Sequence, residues 1–123
     1  MGIIEYFFDS YAVIEIIKAN QNYAKYLEVE GVVTIFNLAE IYFFAINNLN
    51  NISANIIYDT YKKNMMDVEE ETLKEAIIFR KENKKRGLSY ADCIGYMYAL
   101  KNNMTFLTGD KEFEGLKNVE FVK

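Results

Sequence analysis

Four carboxylates stand where an apolar segment meets the predicted start of a helix: Asp9, Glu40, Asp92 and Asp110. In an open sheet of parallel strands, ligands bind in the crevice beyond the carboxyl ends of the strands. Four acids gathered in such a crevice repel one another, and a cation among them favours their ionised forms. Carboxylate oxygens are preferred ligands of hard divalent cations. The pattern therefore indicates a site for Mg²⁺ or Mn²⁺.

Each of these acids also has a purely structural explanation. Asp9 could cap the helix that follows it, and Asp110 could stabilise a turn. Glu40 and Asp92 each occupy the third helical position of a predicted capping box. The two boxes are Asn37–Glu40 and Ser89–Asp92. Because a helix N-terminus stabilises an anion without any cation, the pattern alone leaves both explanations open.

The missing residue types narrow the chemistry. The chain contains no His and a single Cys, Cys93. It therefore has no Ser-His-Asp triad, no Cys–His pair, no intrachain disulfide and no cage of imidazole or thiolate ligands. It also has neither a GxGxxG motif nor a Walker-type loop. We expect Cys93 to be a small buried residue, and carboxylates remain as the strong ligands for a hard metal.

Length, composition and charge set the class of protein. A chain of 123 residues with 51% hydrophobic residues is expected to form one domain, 1–123, with a substantial core. No apolar run approaches the roughly 18 residues of a membrane span, so we expect a cytoplasmic protein without a membrane segment. The net charge of −4 is unusual for a protein that binds nucleic acid. Without the four proposed site acids, however, acidic and basic residues balance at 14 each.

The hydrophobic pattern predicts strands that alternate with helices. Strands are predicted at 3–8, 32–36, 104–108 and 119–122, with 65–68 as a candidate edge strand. Helices are predicted at 10–19, 21–29, 38–49, 53–63, 69–86 and 90–102, with a helical turn at 111–116. Ser53 and Ser89 are predicted N-caps, and Gly87 is predicted to end the helix before it. This alternation favours a three-layer α/β/α sandwich around a central parallel sheet.

The sequence resembles a PIN domain and, within that family, the small VapC-type toxin ribonucleases. The matching segments are Phe7–Ser10, Asn37–Glu40, Leu88–Ile94 and Phe106–Phe113. Their order and spacing carry the resemblance, which covers essentially the whole chain. The sequence departs from the family in having few arginines, since only Arg80 and Arg86 are present.

The resemblance implies a metal-dependent ribonuclease that cleaves single-stranded RNA. The family's acids correspond to Asp9, Glu40, Asp92 and Asp110, and its threonine corresponds to Thr108. A VapC-type toxin also implies a small antitoxin partner and commonly a homodimer.

The residues permit a mechanism in which metal-bound water is the nucleophile, because no His is available as a base. We expect Asp9, Asp92 and Asp110 to hold the metal directly or through water. Glu40 is either a further ligand or a base that orients water. The hydroxyls of Ser10 and Thr108 are candidates to fix carboxylate rotamers, and ordinary cap or turn bonding is the alternative role for both.

Two further surfaces are candidate contacts. The basic residues Lys84, Lys85 and Arg86 could guide phosphate towards the acids, or could be a solvated helix end whose charges suit the helix dipole. The predicted helix around Tyr42, Phe43 and Phe44 is apolar nearly all round. Some of these aromatics, together with Tyr58 and Tyr61, would then contact a partner, unless the helix packs on two sides within its own core.

Two other classes of function compete with a nuclease. A phosphoacceptor receiver domain has a similar size and fold, but that class needs two adjacent acids after the first strand, and Asp9 stands alone. An inactive PIN fold that serves only as a binding module is the other alternative. The presence of all four acids argues against it.

Overall fold

The computed structural model describes residues 3–123. Met1 and Gly2, the start of the predicted domain 1–123, lie outside this part of the chain. None of the helices formed by residues 3–123 is long and apolar enough to cross a membrane.

Three parallel strands form the central sheet in the spatial order β1-β2-β3. They are β1 (Tyr6–Phe8), β2 (Thr105–Thr108) and β3 (Val119–Phe121). On the free side of β1, the parallel bridges Phe7↔Val32 and Val33↔Met65 continue the sheet. Because every segment runs in the same direction, the carboxyl ends of all of them lie at one edge of the sheet.

Within residues 3–123, five α-helices cover the sheet on both faces, which confirms the predicted three-layer α/β/α class. They are α1 (Ser10–Ile17), α2 (Ile35–Asn48), α3 (Asn51–Lys62), α4 (Glu70–Glu82) and α5 (Tyr90–Lys101). Short 3₁₀ turns lie at Gln21–Tyr26, Lys84–Arg86 and Lys111–Phe113.

Alternation of side chains along the strands divides the core into two clusters. Phe7 and Phe106 stack with ring centroids 5.7 Å apart and pack in the cluster that contains α4 and α5 residues. Phe8 and Leu107 point to the opposite face and pack in the cluster with α1 and α2 residues. The buried strands are therefore apolar at successive positions, as expected for a parallel sheet covered on both faces.

The start of α2 differs from the prediction. The predicted strand 32–36 is reduced to two bridges, because Thr34 is the N-cap of a helix that begins at Ile35. The backbone N–H and the hydroxyl of Thr34 both donate to Asn37 Oδ1, at 2.9 and 2.8 Å. The predicted capping box Asn37–Glu40 is therefore wrong, and Glu40 lies in the second turn of α2.

Other element boundaries also shift. The predicted helix 21–29 is only the 3₁₀ turn, and Asn50 rather than Ser53 caps α3 by accepting from Ser53 N at 2.7 Å. The predicted helix 69–86 ends at Glu82, and a 3₁₀ turn follows it. Gly87 has φ of 65°, the left-handed conformation that favours glycine at the end of a helix. The prediction that Gly87 ends the long helix is therefore wrong, because α4 ends at Glu82 and Gly87 ends the 3₁₀ turn that follows.

The position of α5 depends on its first turn and on one glycine. Ser89 is the N-cap and forms the predicted capping box with Asp92. One turn later, a Cβ on Gly95 would lie 2.7 Å from the Phe7 ring. The absence of a side chain lets α5 pack directly on β1, which brings the first turn of α5 to the carboxyl edge of the sheet. Cys93 is buried on this helix, as predicted, and its burial raises the pKa of its thiol to about 11.

Candidate acidic active site

An open cleft of about 580 Å³ lies at the carboxyl edge of the sheet, and all four predicted acids line it. Asp9 and Asp110 follow β1 and β2, whereas Glu40 and Asp92 come from α2 and α5. Ser10 also lines the cleft. Part of its wall is apolar and includes the side chains of Ile14, Phe43 and Phe44.

Asp9 is the most buried of these acids, with 1% of its surface exposed. Its Oδ2 accepts a hydrogen bond of 2.7 Å from the Thr108 hydroxyl, whereas its Oδ1 is buried and has no partner among the described residues. Asp9 makes no side-chain capping bond to α1, so the simple N-cap explanation fails for this residue. Burial, and then the negative charge of Asp92, hold the pKa of Asp9 well above its usual range.

Thr108 connects Asp9 to Asp110. The Thr108 hydroxyl, fully buried at the end of β2, donates to Asp9 and accepts from the backbone N–H of Asp110 at 3.1 Å. Asp110 Oδ1 in turn accepts from Glu112 N at 3.0 Å and caps the following 3₁₀ turn. The turn explanation of Asp110 is therefore correct as far as it goes, but the same residue also lines the cleft.

Asp92 and Glu40 meet at Ser89. Asp92 Oδ2 accepts from Ser89 N at 2.8 Å, and the Ser89 hydroxyl accepts from Asp92 N at 3.1 Å. The same hydroxyl donates to Glu40 Oε2 in a long bond of 3.4 Å. The pKa of Glu40 and of Asp92 is raised, chiefly because both carboxyls are partly buried, while bonds from Ser89 oppose the rise.

Asn37 supports the site, although the sequence pattern did not identify it as a site residue. It is fully buried, and its Nδ2 donates to the Ser10 hydroxyl at 3.1 Å while its Oδ1 is held by Thr34. A bond from Ser10 lowers the pKa of Glu40. Buried polar groups thus link the start of α2 to Ser10, whose hydroxyl influences the carboxyl of Glu40. The pair Thr34-x-x-Asn37 was the available signal, because both residue types are competent in a capping box.

The donor set of the cleft fits a hard divalent cation. All its charged groups are carboxylates, and the unpartnered Oδ1 of Asp9 is a buried acceptor for which only a cation or a donor would compensate. Within residues 3–123, no three acidic side chains already stand at the mutual distances of a metal-binding group. Among the described residues, the arrangement is therefore an acidic cleft and not a preformed metal cage.

The other predicted contact residues lie around this cleft or away from it. Lys84 and Lys85 are exposed, but Arg86 is engaged, because its guanidinium donates to Asn83 Oδ1 at 3.1 Å and to Glu112 O at 2.6 Å. Tyr42 packs edge-on against Tyr58 of α3 and donates to Asn55. Among the predicted aromatics, Phe43 is the most exposed at 67%, whereas Phe44, Tyr58 and Tyr61 are partly buried.

The parallel sheet, its helical layers and the acids at its carboxyl edge define an α/β domain with an acidic cleft. The family model described as PIN domain matches residues 6–119. The chain therefore belongs to the PIN domain family. This assignment gives no support to the receiver alternative.

Several solved structures share the fold of this chain. A chain of a toxin-antitoxin complex from Klebsiella pneumoniae superimposes with a TM-score of 0.75 at 18% identity, over 94% of this chain and 96% of that one. A chain of VapBC2 from Rickettsia felis, crystallised with a DNA fragment from its promoter, gives 0.74 at 17% identity, over 98% and 100%. DNA-bound VapBC from Salmonella typhimurium gives 0.70 at 14% identity, over 97% of each chain. A search of curated proteins found no significant match.

Proposed function

We propose that this protein is a divalent-metal-dependent endoribonuclease that cleaves single-stranded RNA and is the toxin of a toxin–antitoxin pair. Membership of the PIN family and the likeness to chains of VapBC complexes support a VapC-like protein. One observation carries the catalytic proposal. Asp9 keeps a buried, unpartnered carboxylate oxygen in a cleft that three other acids also line.

In this proposal Asp9, Asp92 and Asp110 hold Mg²⁺ or Mn²⁺, directly or through water. A bound divalent cation supplies Lewis acidity, which lowers the pKa of water and offsets negative charge on the phosphate. Thr108 holds Oδ2 of Asp9 and so fixes the rotamer that leaves Oδ1 unpartnered. Ser89 fixes Asp92 in the same way through its backbone N–H.

Glu40 is the residue best suited to move a proton. It is partly buried, its pKa is raised chiefly by burial, and its Oε2 accepts a long hydrogen bond from the Ser89 hydroxyl. A carboxylate held in this way can accept a proton from an attacking water and orient that water. Its assignment as a further metal ligand is the alternative role within the same proposal.

RNA cleavage with a labelled single strand tests the proposal, in Mn²⁺, in Mg²⁺ and in EDTA. We expect cleavage with metal and none in EDTA. Asp92→Asn should reduce the rate at least about 100-fold, as expected for loss of a group that acts on charge in the transition state. Asp59→Asn, an exposed acid on α3 outside the cleft, is the matched control. Wild-type cleavage by a folded Asp92→Asn protein would refute the assignment.

The remaining parts of the proposal concern assembly. We infer one domain, a cytoplasmic location, a small antitoxin partner and a homodimer, all supported by the resemblance to VapC-type proteins. An inactive PIN fold that only binds a partner is the competing function. The four acids at one cleft favour an enzyme.

A further inference from the structure

A second cavity, of about 380 Å³, lies between the end of α4 and the start of α5. Its walls include Arg80, Lys81, Lys84, Leu88 and Tyr90, and no acid lines it. Its size falls in the range of about 300–1,000 Å³ that is typical of small-ligand sites. A cationic cavity is unexpected in a chain of net charge −4, and the acidic chemistry proposed above does not use it.

The charges of this cavity are not neutralised by the protein itself. Within residues 3–123, the two ion pairs join Lys18 to Glu15 and Lys101 to Glu75, and neither involves a residue of the cavity. Arg80 donates from Nε to Leu88 O at 2.9 Å. This bond fixes the guanidinium but leaves its two terminal nitrogens available to an anion such as a phosphate.

An aromatic ring completes the site. The Arg80 guanidinium carbon lies 4.2 Å from the centroid of the Tyr90 ring, and Tyr90 is 57% exposed. The guanidinium lies over one face of this ring, and the exposed part of the ring offers a flat surface on which a nucleobase can stack, with cations close by for the backbone. An acidic peptide would pair with the cations, but its side chains would not need a flat aromatic surface for stacking.

The cavity is joined to the acidic cleft by a very short segment. Leu88 and Tyr90 line the cavity, while Ser89 between them bonds Asp92 and Glu40 of the cleft. If one phosphate of an RNA strand lies among the acids, a neighbouring nucleotide of that RNA would therefore lie at this cavity. The cleft itself is acidic and has no cation among its lining residues, so it needs a neighbouring anchor for a polyanion.

We propose that this cavity binds a nucleotide of single-stranded RNA next to the scissile phosphate, with the base stacked on the exposed part of the Tyr90 ring and the phosphate held by Arg80 and Lys84. The inference rests on the proposed function for its substrate class. It deepens that function, because it names residues outside the acidic cleft that position the strand.

The test is equilibrium binding of fluorescein-labelled oligoadenylate in EDTA, measured by anisotropy over a range of salt concentrations. Tyr90→Ala should weaken binding about tenfold, in keeping with the loss of one stacked base, and Tyr90→Phe should bind like wild type. Lys84→Gln should reduce the slope of log K against log salt by about 0.7, the value for one phosphate contact on a single strand. Thermal melts show that each variant is folded.

Two controls make the test specific. Lys25 also lies over a tyrosine ring, with Nζ 5.2 Å from the centroid of Tyr26, but Tyr26 is buried. Lys25→Gln makes the same charge change without a stacking site and should leave the salt slope unchanged. On an abasic strand of the same length, Tyr90→Ala should cause no further loss of affinity.

Three results would overturn the inference. The first is wild-type affinity for Tyr90→Ala, and the second is an equal change of the salt slope in Lys84→Gln and Lys25→Gln. The third is that Tyr90→Ala loses as much affinity for the abasic strand as for the normal strand, which would indicate an anion site only. Because binding in EDTA needs no turnover, the two proposals fail separately. Intact stacking effects without cleavage in Mn²⁺ would refute the nuclease alone, and cleavage without any effect of Tyr90 would refute this site alone.

Discussion

Thr108 Oγ1 lies 2.7 Å from Asp9 Oδ2, and this hydrogen bond joins the carboxyl ends of β1 and β2. Among residues 3–123, it supplies the only hydrogen-bond partner of a carboxylate that is almost completely buried. The carboxylate is thus fixed at one oxygen and unsatisfied at the other. A buried acid in that state destabilises the folded protein at neutral pH unless a cation binds it.

Removal of the Thr108 hydroxyl tests this bond. Thr108→Val keeps the shape but leaves both oxygens of Asp9 without a partner, so we expect a loss of about 1–3 kcal/mol in the free energy of unfolding. Thr105→Val, at the partly exposed start of the same strand, is the control and should change stability by much less. Urea unfolding in EDTA measures both. Equal effects in the two variants would show that the hydroxyl–carboxylate bond is not special.

Neutralisation of Asp9 should have the opposite effect. Asp9→Asn removes a buried charge from the neighbourhood of three other acids, so the metal-free protein should become more stable by ~1 kcal/mol. The variant should also lose most of the rise in Tm that Mn²⁺ gives to the wild type, because a ligand that binds only the folded state stabilises it. Thermal melts with and without Mn²⁺ decide the matter. A metal-free variant that melts well below wild type would favour a purely structural role for Asp9.

The raised pKa of Asp9 predicts a pH dependence with a definite sign. The folded protein binds this proton more tightly than the unfolded chain, so the contribution to stability is complete below the unfolded pKa of about 3.9 and is lost as pH rises through the higher folded pKa. In EDTA, the stability of Asp9→Asn relative to wild type should therefore increase between mildly acidic and neutral pH. Urea unfolding at a series of pH values measures this difference. A difference that does not change with pH would mean that Asp9 titrates normally.

Much of the site could be predicted because it depends on local sequence. Asp9 follows β1 directly, Asp110 comes one residue after the end of β2, and the Ser89–Asp92 capping box is a local pattern that positions its own acid. Parallel strands then bring these residues to one edge, whatever the details of packing.

Other parts were not predicted, either because a local cap competes with a strand pattern or because a contact joins distant segments. Residues 32–36 have the apolar, β-branched character of a strand, but the cap formed by Thr34 and Asn37 starts a helix there, and Ile35 and Phe36 are partly exposed in it. The buried bond from Asn37 to Ser10 joins residues 27 positions apart. Such a bond has no signal in the sequence of either segment.

The last prediction concerns the partner surface. Phe43 lies on α2, lines the acidic cleft and is 67% exposed, which is costly for an aromatic ring unless a partner or substrate covers it. If the protein is a VapC-type toxin, Phe43→Ser should weaken its complex with the small protein encoded by the adjacent reading frame.

Ile78→Ser is the control, because Ile78 is also exposed, at 55%, but belongs to α4 on the other face of the sheet. Co-purification followed by titration of the two purified chains measures the effect. An equal loss of affinity in both variants would indicate non-specific apolar binding. Unchanged affinity for Phe43→Ser would show that the partner binds elsewhere. A partner seated on this wall would close the mouth of the cleft, so the complex should also cleave RNA more slowly than the free protein.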